Sequence, residues 1–314
     1  MTRSRIAKFA WLTLVYNVLV VVWGVFLRAS KSGDGCGRYW LTCHGEVIPS
    51  APQLKTVIEF SHRVMSGVDF FVVLALMVCV LVFFRKEKQL RLFSILSFFF
   101  IITEALIGAG LVLTGNVAET YTATRPLWAI GHLINTFLLL GSLSLTAVLL
   151  HTGGRFKWPA GRTLTVFAVT GTSALVVIGI SGAVAALTNM LFPSASFAEG
   201  LVKDFAADSH ILVRLRILHP IGSLLISVFL GFAAARLKTS YGLTGKRGRV
   251  SDIFTVLLVA QVICGALTLF TGAPIIMQVT HLLLADGVWI AWVLLIAACC
   301  LESSDDDLAA SFSR

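Results

Sequence analysis

The sequence predicts an all-α membrane protein of eight transmembrane helices, arranged as two pseudo-symmetric four-helix bundles. Three observations lead there. Of the 314 residues 57% are hydrophobic and only 13% charged, and one crossing needs about 20 apolar residues, so the chain parses into nearly continuous spans. Basic residues collect between alternate spans, as they do in short cytoplasmic loops. Four histidines recur in pairs inside the apolar runs, 70 residues from His62 to His132 and 62 from His219 to His281, as though one unit had been duplicated.

Span one covers residues 9–27 and follows Arg3, Arg5 and Lys8. Its apolar stretch is of near full span length and lacks a small-residue cleavage pattern, so it reads as an uncleaved first helix. Span two, 58–84, carries His62 and stops at Arg85 and Lys86; span three, 92–114, follows Lys88 and Arg91 and ends in a glycine-rich run. Span four, 127–150, follows Arg125 and carries His132. Span five, 163–187, begins after Arg162; span six, 210–235, carries His219 and stops at Arg236 and Lys238. Span seven, 252–272, follows Lys246, Arg247 and Arg249, and span eight, 276–300, carries His281.

With Arg155, Lys157 and Arg314, 16 of the 25 Lys and Arg fall on one side, which puts both termini in the cytoplasm. The net charge of +9 therefore reads as topology, and no nucleic-acid partner is expected. The simplest location is the cytoplasmic membrane of a prokaryote, with lipid as the solvent of the eight spans. The acidic tail, Glu302 and Asp305 to Asp307, reads as solvated and disordered.

Cut near residue 160, each half has four spans, with its histidines at the outer ends of the second and fourth. The expected units are 1–158 and 159–314. The letters echo as well: Leu106 to Gly115 in span three resembles Val262 to Gly272 in span seven. Four spans per repeat make the repeats parallel, related by an axis along the membrane normal. The glycines of the odd-numbered spans, among them Gly108, Gly110, Gly179, Gly182 and Gly265, either let helices pack closely or leave room for a flat macrocycle.

A lone histidine in a helix is commonly a hydrogen-bonded structural residue, but four at one depth, two per repeat, point to a buried ligand set, and imidazole is a haem axial ligand. Two haem sites toward the outer side are expected. His44, His151 and His210 lie in loops or at span ends without repeat partners. Arg63 adjoins His62, Arg125 precedes span four, and Arg214 and Arg216 precede His219; guanidinium groups suit a haem's carboxylates, and interfacial snorkelling is the plain alternative.

The halves differ at one place. Glu59 lies three residues before His62, on the histidine's own helix face, whereas the matching position before His219 is Arg216. A glutamate near hydrocarbon is a functional candidate; the alternative is an interfacial, solvated side chain. Asp69, Glu104 and Asp286 also fall inside spans. Asp69 could serve a proton path or an interhelical hydrogen bond, and no role is assigned to these three. Cys36 and Cys43 lie in the first outer loop, where disulfides persist. They read as a structural staple that is reducible in its exposed setting, or as a pair for thiol exchange. Cys79, Cys264, Cys299 and Cys300 read as inert hydrophobes.

Taken together, the segment Glu59-Phe-Ser-His-Arg63, the loop from Arg28 to Gly45 with its two cysteines, Gly131-His132, and His219 and His281 resemble the haem A synthase family of integral-membrane enzymes. The likeness covers nearly all eight spans. It implies oxidation of a porphyrin methyl of haem O to a formyl group through successive hydroxylations, giving haem A for terminal oxidases. By that likeness His62 and His132 flank the substrate haem O, and His219 and His281 ligate a haem b cofactor. Glu59 serves the oxidation or stabilises a cationic intermediate, the loop cysteines form a disulfide, and haem O synthase and an unknown electron acceptor are partners. The family loop commonly has prolines beside the cysteines and tryptophan, where this chain has Gly37 and Leu41. The polar segment 192–210 is a lid over the second haem or a linker.

Two other functions compete. A di-haem b-type electron carrier oxidising a quinol would not need Glu59 beside one pair only, and its ligands would lie at two depths. A transporter built from repeats would expect helices broken near the midplane, and only Pro220, beside His219, is placed to break one.

Overall fold

The computed structural model describes residues 2–117 and 120–302. Its elements are α1 (Arg3–Ala29), α2 (Leu54–Phe83), α3 (Lys88–Leu113), α4 (Arg125–Thr152), β1 (Arg155–Phe156), α5 (Arg162–Leu191), α6 (Phe197–Phe205), α7 (Ile211–Arg216), α8 (Leu218–Ser240), α9 (Gly245–Phe270), α10 (Ile275–Cys300) and β2 (Leu301–Glu302). Eight helical stretches are long and apolar enough to cross a membrane, with α7 and α8 together making the sixth. At 26 to 30 residues each they run about 40 Å or more. That exceeds a hydrocarbon core of about 30 Å, and most of the helices run past the apolar stretch seen in sequence at one end, as α1 and α9 do at their starts, whereas α10 matches it within one residue.

Sequence chemistry accounts for the ends. Pro126 sits in the first turn of α4, where its missing N–H costs nothing, and Gly153 closes the same helix in the left-handed region at φ 69°, which glycine adopts without strain. The sixth span breaks where Pro220 offers no N–H to the carbonyl of Arg216; α7 ends at Arg216 and α8 begins at Leu218.

Helix α4 is the centre of the molecule: 72% of its most apolar window is buried, against 44% in α10 and 28% or less in the others. It packs on α1, α3, α5 and α10. Small hydroxyl residues make that close approach possible. Ser144 and Thr146 of α4 are fully buried and donate to Leu140 O at 2.7 Å and Ser142 O at 2.8 Å, so no donor is left unmet. The outer helices carry apolar side chains outward, where lipid replaces water as the partner.

The halves meet along α4 and α10. Phe137 stacks on Trp289 with ring centroids 4.5 Å apart, and the Trp289 indole donates to Phe137 O at 2.7 Å. At one end of the bundle β1 pairs antiparallel with β2. Gln89 there donates to Phe156 O and accepts from Phe156 N, both at 2.8 Å, and Arg3 pairs with Glu87 at 2.7 Å. Glu302 is ordered in this clasp, 3.0 Å from Arg155 and 2.9 Å from Lys157, which corrects the expectation of a solvated tail at that residue. Asp305 to Asp307 and Arg314 lie outside the described residues.

Candidate functional site

The four histidines are the seventh to ninth residues of α2, α4, the α7–α8 span and α10. They therefore sit about 9 to 12 Å below the starts of their helices, at the end of the bundle opposite the β clasp. Depth alone does not make a site; what surrounds each ring does.

Three of the rings are seated on helical glycines of the preceding span. A Cβ at Gly24 of α1 would lie 3.1 Å from His62 Cε1, one at Gly182 of α5 2.8 Å from His219 Cε1, and one at Gly265 of α9 2.9 Å from His281 Cε1. Gly110 and Gly179 instead take Trp128 and Leu133 with Phe137 against them. The glycines thus let side chains of neighbouring helices close in, aromatic and aliphatic ones at some positions and histidine rings at others.

In the second half the rings of His219 and His281 lie edge to face, with centroids 6.4 Å apart and planes at 85°. Two imidazoles bound to opposite faces of one metal, at about 2 Å per metal–nitrogen bond, would have centroids roughly 6 Å apart. His219 Nδ1 lies 3.0 Å from the Ser181 hydroxyl, and His281 Nε2 lies 3.3 Å from Gln261 Nε2. The Nδ1 atoms of His62 and His281 are buried without a partner. A buried polar atom left unpaired is costly, and sites that bind a ligand are where such atoms occur. These features fit a bis-imidazole haem site. Among the described residues no group of three or more His, Cys, Asp or Glu is arranged to hold a metal ion by itself.

In the first half the surroundings carry charge. His132 Nδ1 lies 3.0 Å from Glu104 Oε1, an ion-pair distance, with the ring N–H not aligned for a hydrogen bond. Glu104 accepts from Asn135 Nδ2 and Thr136 Oγ1, both at 2.5 Å. Sequence reasoning left Glu104 without a role. The signal was in the repeat: the 157 residues that separate His62 from His219 also separate Glu104 from Gln261. Asp69 accepts from Asn17 at 2.8 Å, an interhelical hydrogen bond between α1 and α2, and Asp286 is buried with Oδ2 unpartnered.

Glu59 is 3% exposed, which removes the reading of a solvated interfacial side chain. Its Oε1 accepts from Arg63 Nε at 3.1 Å and from Arg63 Nη2, and its Oε2 accepts from Cys36 N at 2.8 Å. Arg63 Nη1 donates to Tyr39 O at 2.6 Å and Thr42 O at 2.8 Å, so this arginine fastens the first outer loop to α2. Cys36 and Cys43 form a disulfide. Both are 0% exposed, so the exposed setting expected for them is corrected: the bridge is covered, and it lies directly behind Glu59. Gly37 and Leu41, at the places where the family's loop has prolines, have φ of 67° and 73°, a region closed to proline.

Arg216 plays the corresponding part in the second half. It donates to Asp204 Oδ1 at 2.9 and 2.6 Å, to Asn189 Oδ1 at 2.7 Å and to Gly200 O at 3.1 Å. It thereby holds α6, the helix formed within the polar segment 192–210, against α5 and α7. Arg214 is exposed. Arg125 is buried at the head of α4 and donates to Thr120 O. Half-buried Arg28, missed in sequence because it stands at a span end like any snorkelling residue, closes the last turn of α1.

The family model for cytochrome oxidase assembly proteins, COX15-CtaA, matches residues 7–293. Two Thermus thermophilus proteins, one from each of two strains, are 42% and 41% identical over 295 residues, which is 93% of this chain and 48% of theirs; both are named protoheme IX farnesyltransferase. The chain spans about half the length of these relatives. Proteins named haem A synthase from Exiguobacterium sp. and Halalkalibacterium halodurans are 34% and 37% identical over 110 and 108 residues. Those matches cover 35% and 34% of this chain and 36% of each relative. An eight-span helical protein with this family match over almost its whole length belongs to the haem A synthase family of cytochrome oxidase assembly proteins.

Proposed function

We propose that the chain is a haem A synthase that oxidises the methyl group of haem O to a formyl group, with residues 1–158 as the substrate half and 159–314 as the haem b half. One observation carries this reading. Two histidine pairs stand at one depth, and a carboxylate lies against a histidine of the first only: Glu104 is 3.0 Å from His132 Nδ1, where the second half has Gln261 beside His281. A pure electron carrier has no use for that asymmetry.

In the second half His219 and His281 would ligate haem b, with Ser181 orienting His219 through Nδ1 and with Gly182 and Gly265 leaving the rings their room. When bound, haem b supplies one-electron redox chemistry there. In the first half His62 and His132 would flank haem O. Glu59, held between Arg63 and the Cys36 amide, brings a fixed negative charge to that site, and charge placed in advance is worth more where water is excluded. Arg28 and Arg125 suit a propionate between them, and exposed Arg214 suits one on the other side. Arg63 and Arg216 border the two sites through the loops they fasten.

The farnesyl transfer named for the long relatives belongs, on this reading, to the half of those chains that this one does not match. A single chain holding both halves would make haem O beside its oxidase, which supports haem O synthase as a partner here. The membrane is the bacterial cell membrane, with both termini cytoplasmic and both haem sites toward the outer side. The electron acceptor is left as an unnamed redox partner.

The test is to purify the chain from cells that make haem O, extract its haems in acid acetone and separate them with mass detection. Haem b together with haem O or haem A is expected, the latter pair disappearing in His62→Ala. Two equivalents of haem b alone would favour the di-haem carrier. Farnesylation of haem b by the purified chain would favour the transferase.

A further inference from the structure

The repeat register makes an unforced comparison between the halves. The 157-residue offset that carries His62 to His219 and Glu59 to Arg216 also carries Gly108 to Gly265 and Glu104 to Gln261. Both members of the last pair turn toward the fourth-span histidine of their own half. Glu104 Oε1 is 3.0 Å from His132 Nδ1, and Gln261 Nε2 is 3.3 Å from His281 Nε2. Glutamate and glutamine have the same shape. The difference between the two positions is one negative charge.

From this we infer that Glu104 is a positioning residue that lowers the reduction potential of the N-terminal haem site through His132, and that Gln261 is its neutral counterpart. The inference rests on the haem-binding reading given above and goes beyond it in assigning the two sites unequal potentials.

Glu104 is well fixed for such a role. Its side chain is 16% exposed, and its partners other than His132 are donors from α4. Asn135 and Thr136 lie three and four residues after His132, on the same helix face, and each donates to the carboxylate at 2.5 Å. Asn135 is held in turn, donating to Phe100 O at 2.9 Å and accepting from Thr103 Oγ1 at 2.5 Å. A carboxylate so placed cannot swing away from the imidazole. A negative group facing the non-ligating nitrogen of a ligand histidine fixes the ring and raises its basicity. A more basic axial ligand and a nearby negative charge both favour ferric over ferrous iron, and hydrogen bonding around the axial ligand is an established lever on haem potential. Gln261 meets His281 at Nε2 where Glu104 meets His132 at Nδ1, and an amide adds no charge at either nitrogen, so the C-terminal site keeps the higher potential.

The plain alternative is that Glu104 only ties α3 to α4. Glu104→Gln separates the two roles, since it keeps the length and the acceptor oxygen while removing the charge. The experiment uses the full chain in detergent, reconstituted with haemin to two equivalents, with haem content measured first. Each haem is then titrated spectroelectrochemically. Two midpoints are expected in the parent chain. Glu104→Gln should shift the lower one upward by at least tenfold in the ferric-to-ferrous equilibrium, about 59 mV for one electron, leaving the higher one in place; Glu104→Asp should stay near the parent value. If Glu104→Gln fails to hold haem in its first half, Gln261→Glu supplies the mirror test, and the higher midpoint should fall. Unmoved midpoints in a variant holding two haems would overturn the inference while leaving the haem reading intact. A parent chain that takes up no haemin would remove both.

Discussion

Glu59 accepts the backbone N–H of Cys36 at 2.8 Å, so the carboxylate nearest His62 in sequence and the disulfide of the outer loop form one unit. The disulfide shapes the backbone that presents this N–H, and Arg63 completes the clamp from the other oxygen. A buried carboxylate held by an arginine and an amide is stable as an anion without water.

Removing that charge alone should spare binding and damage turnover. Glu59→Gln keeps the acceptor for Cys36 N, so haem per chain should stay at the parent level. Conversion of haem O should fall by about 100-fold or more, the usual range when a charged group acting on a reaction is neutralised. The ratio of haem A to haem O in acid-acetone extracts measures it. An unchanged ratio removes Glu59 from the chemistry and leaves it a loop anchor.

The glycine seats predict where a methyl group can be added. Gly182→Ala and Gly265→Ala would bring a Cβ to 2.8 and 2.9 Å of the His219 and His281 rings, closer than carbon atoms tolerate, and should empty the second site. Gly24→Ala, at 3.1 Å from His62, should weaken the first site less severely. Gly108→Ala meets nothing within 4 Å and is the control. Alanine is intrinsically the better helix former by about 1 kcal/mol, so haem lost in the first two variants, read as pyridine haemochrome per chain, must come from ring displacement.

Much of this was legible in the chain because membrane spans are written in long blocks. Hydropathy alone places His62, His132, His219 and His281 within a turn or two of the same helix ends, and alternate basic loops order the spans. Contacts between spans are not written that way. Whether Glu104 faces His132 or lipid depends on how α3 rotates against α4, which a uniformly apolar helix does not reveal by periodicity. The burial of Glu59 and of the disulfide depends likewise on a loop folding back onto α2. One missed element was readable: Ser196-Phe-Ala-Glu199 is a capping box, and Ser196 Oγ does accept from Glu199 N at 3.2 Å at the start of α6.

The β clasp should respond to acid. Lys157 and then Arg155, by hydrogen bonds and charge, hold the Glu302 carboxyl below its ordinary range. A group whose folded value is depressed contributes stability above its unfolded value, about 4.3 for glutamate, and loses it as pH falls through the folded value. Amide protection at Phe156 and Leu301 should therefore be level from neutral pH down to about 5 and decline below about 4. In Glu302→Gln that decline should be absent, and a slope that persists there would assign it to another group.

The pairing of Arg216 with Asp204 makes the most direct claim about the second site. Both side chains are nearly covered, 12% and 9% exposed, and Arg216 also bonds Gly200 O and Asn189, so α6 is held by one guanidinium. Breaking a buried pair by removing one partner typically costs about 3 kcal/mol. Arg216→Ala should leave the eight spans folded but release α6, opening Lys203 to trypsin in detergent micelles. Asp204→Asn removes the charge and keeps an acceptor oxygen for the guanidinium, so it should open Lys203 more slowly. If α6 covers haem b as well as packing on α7, haem b should dissociate faster from Arg216→Ala than from the parent, whereas the first half should keep its haem at the parent rate. Cleavage at Lys203 with unchanged haem b release would make the segment 192–210 a linker, and no cleavage would mean that α6 is held by its apolar face rather than by Arg216.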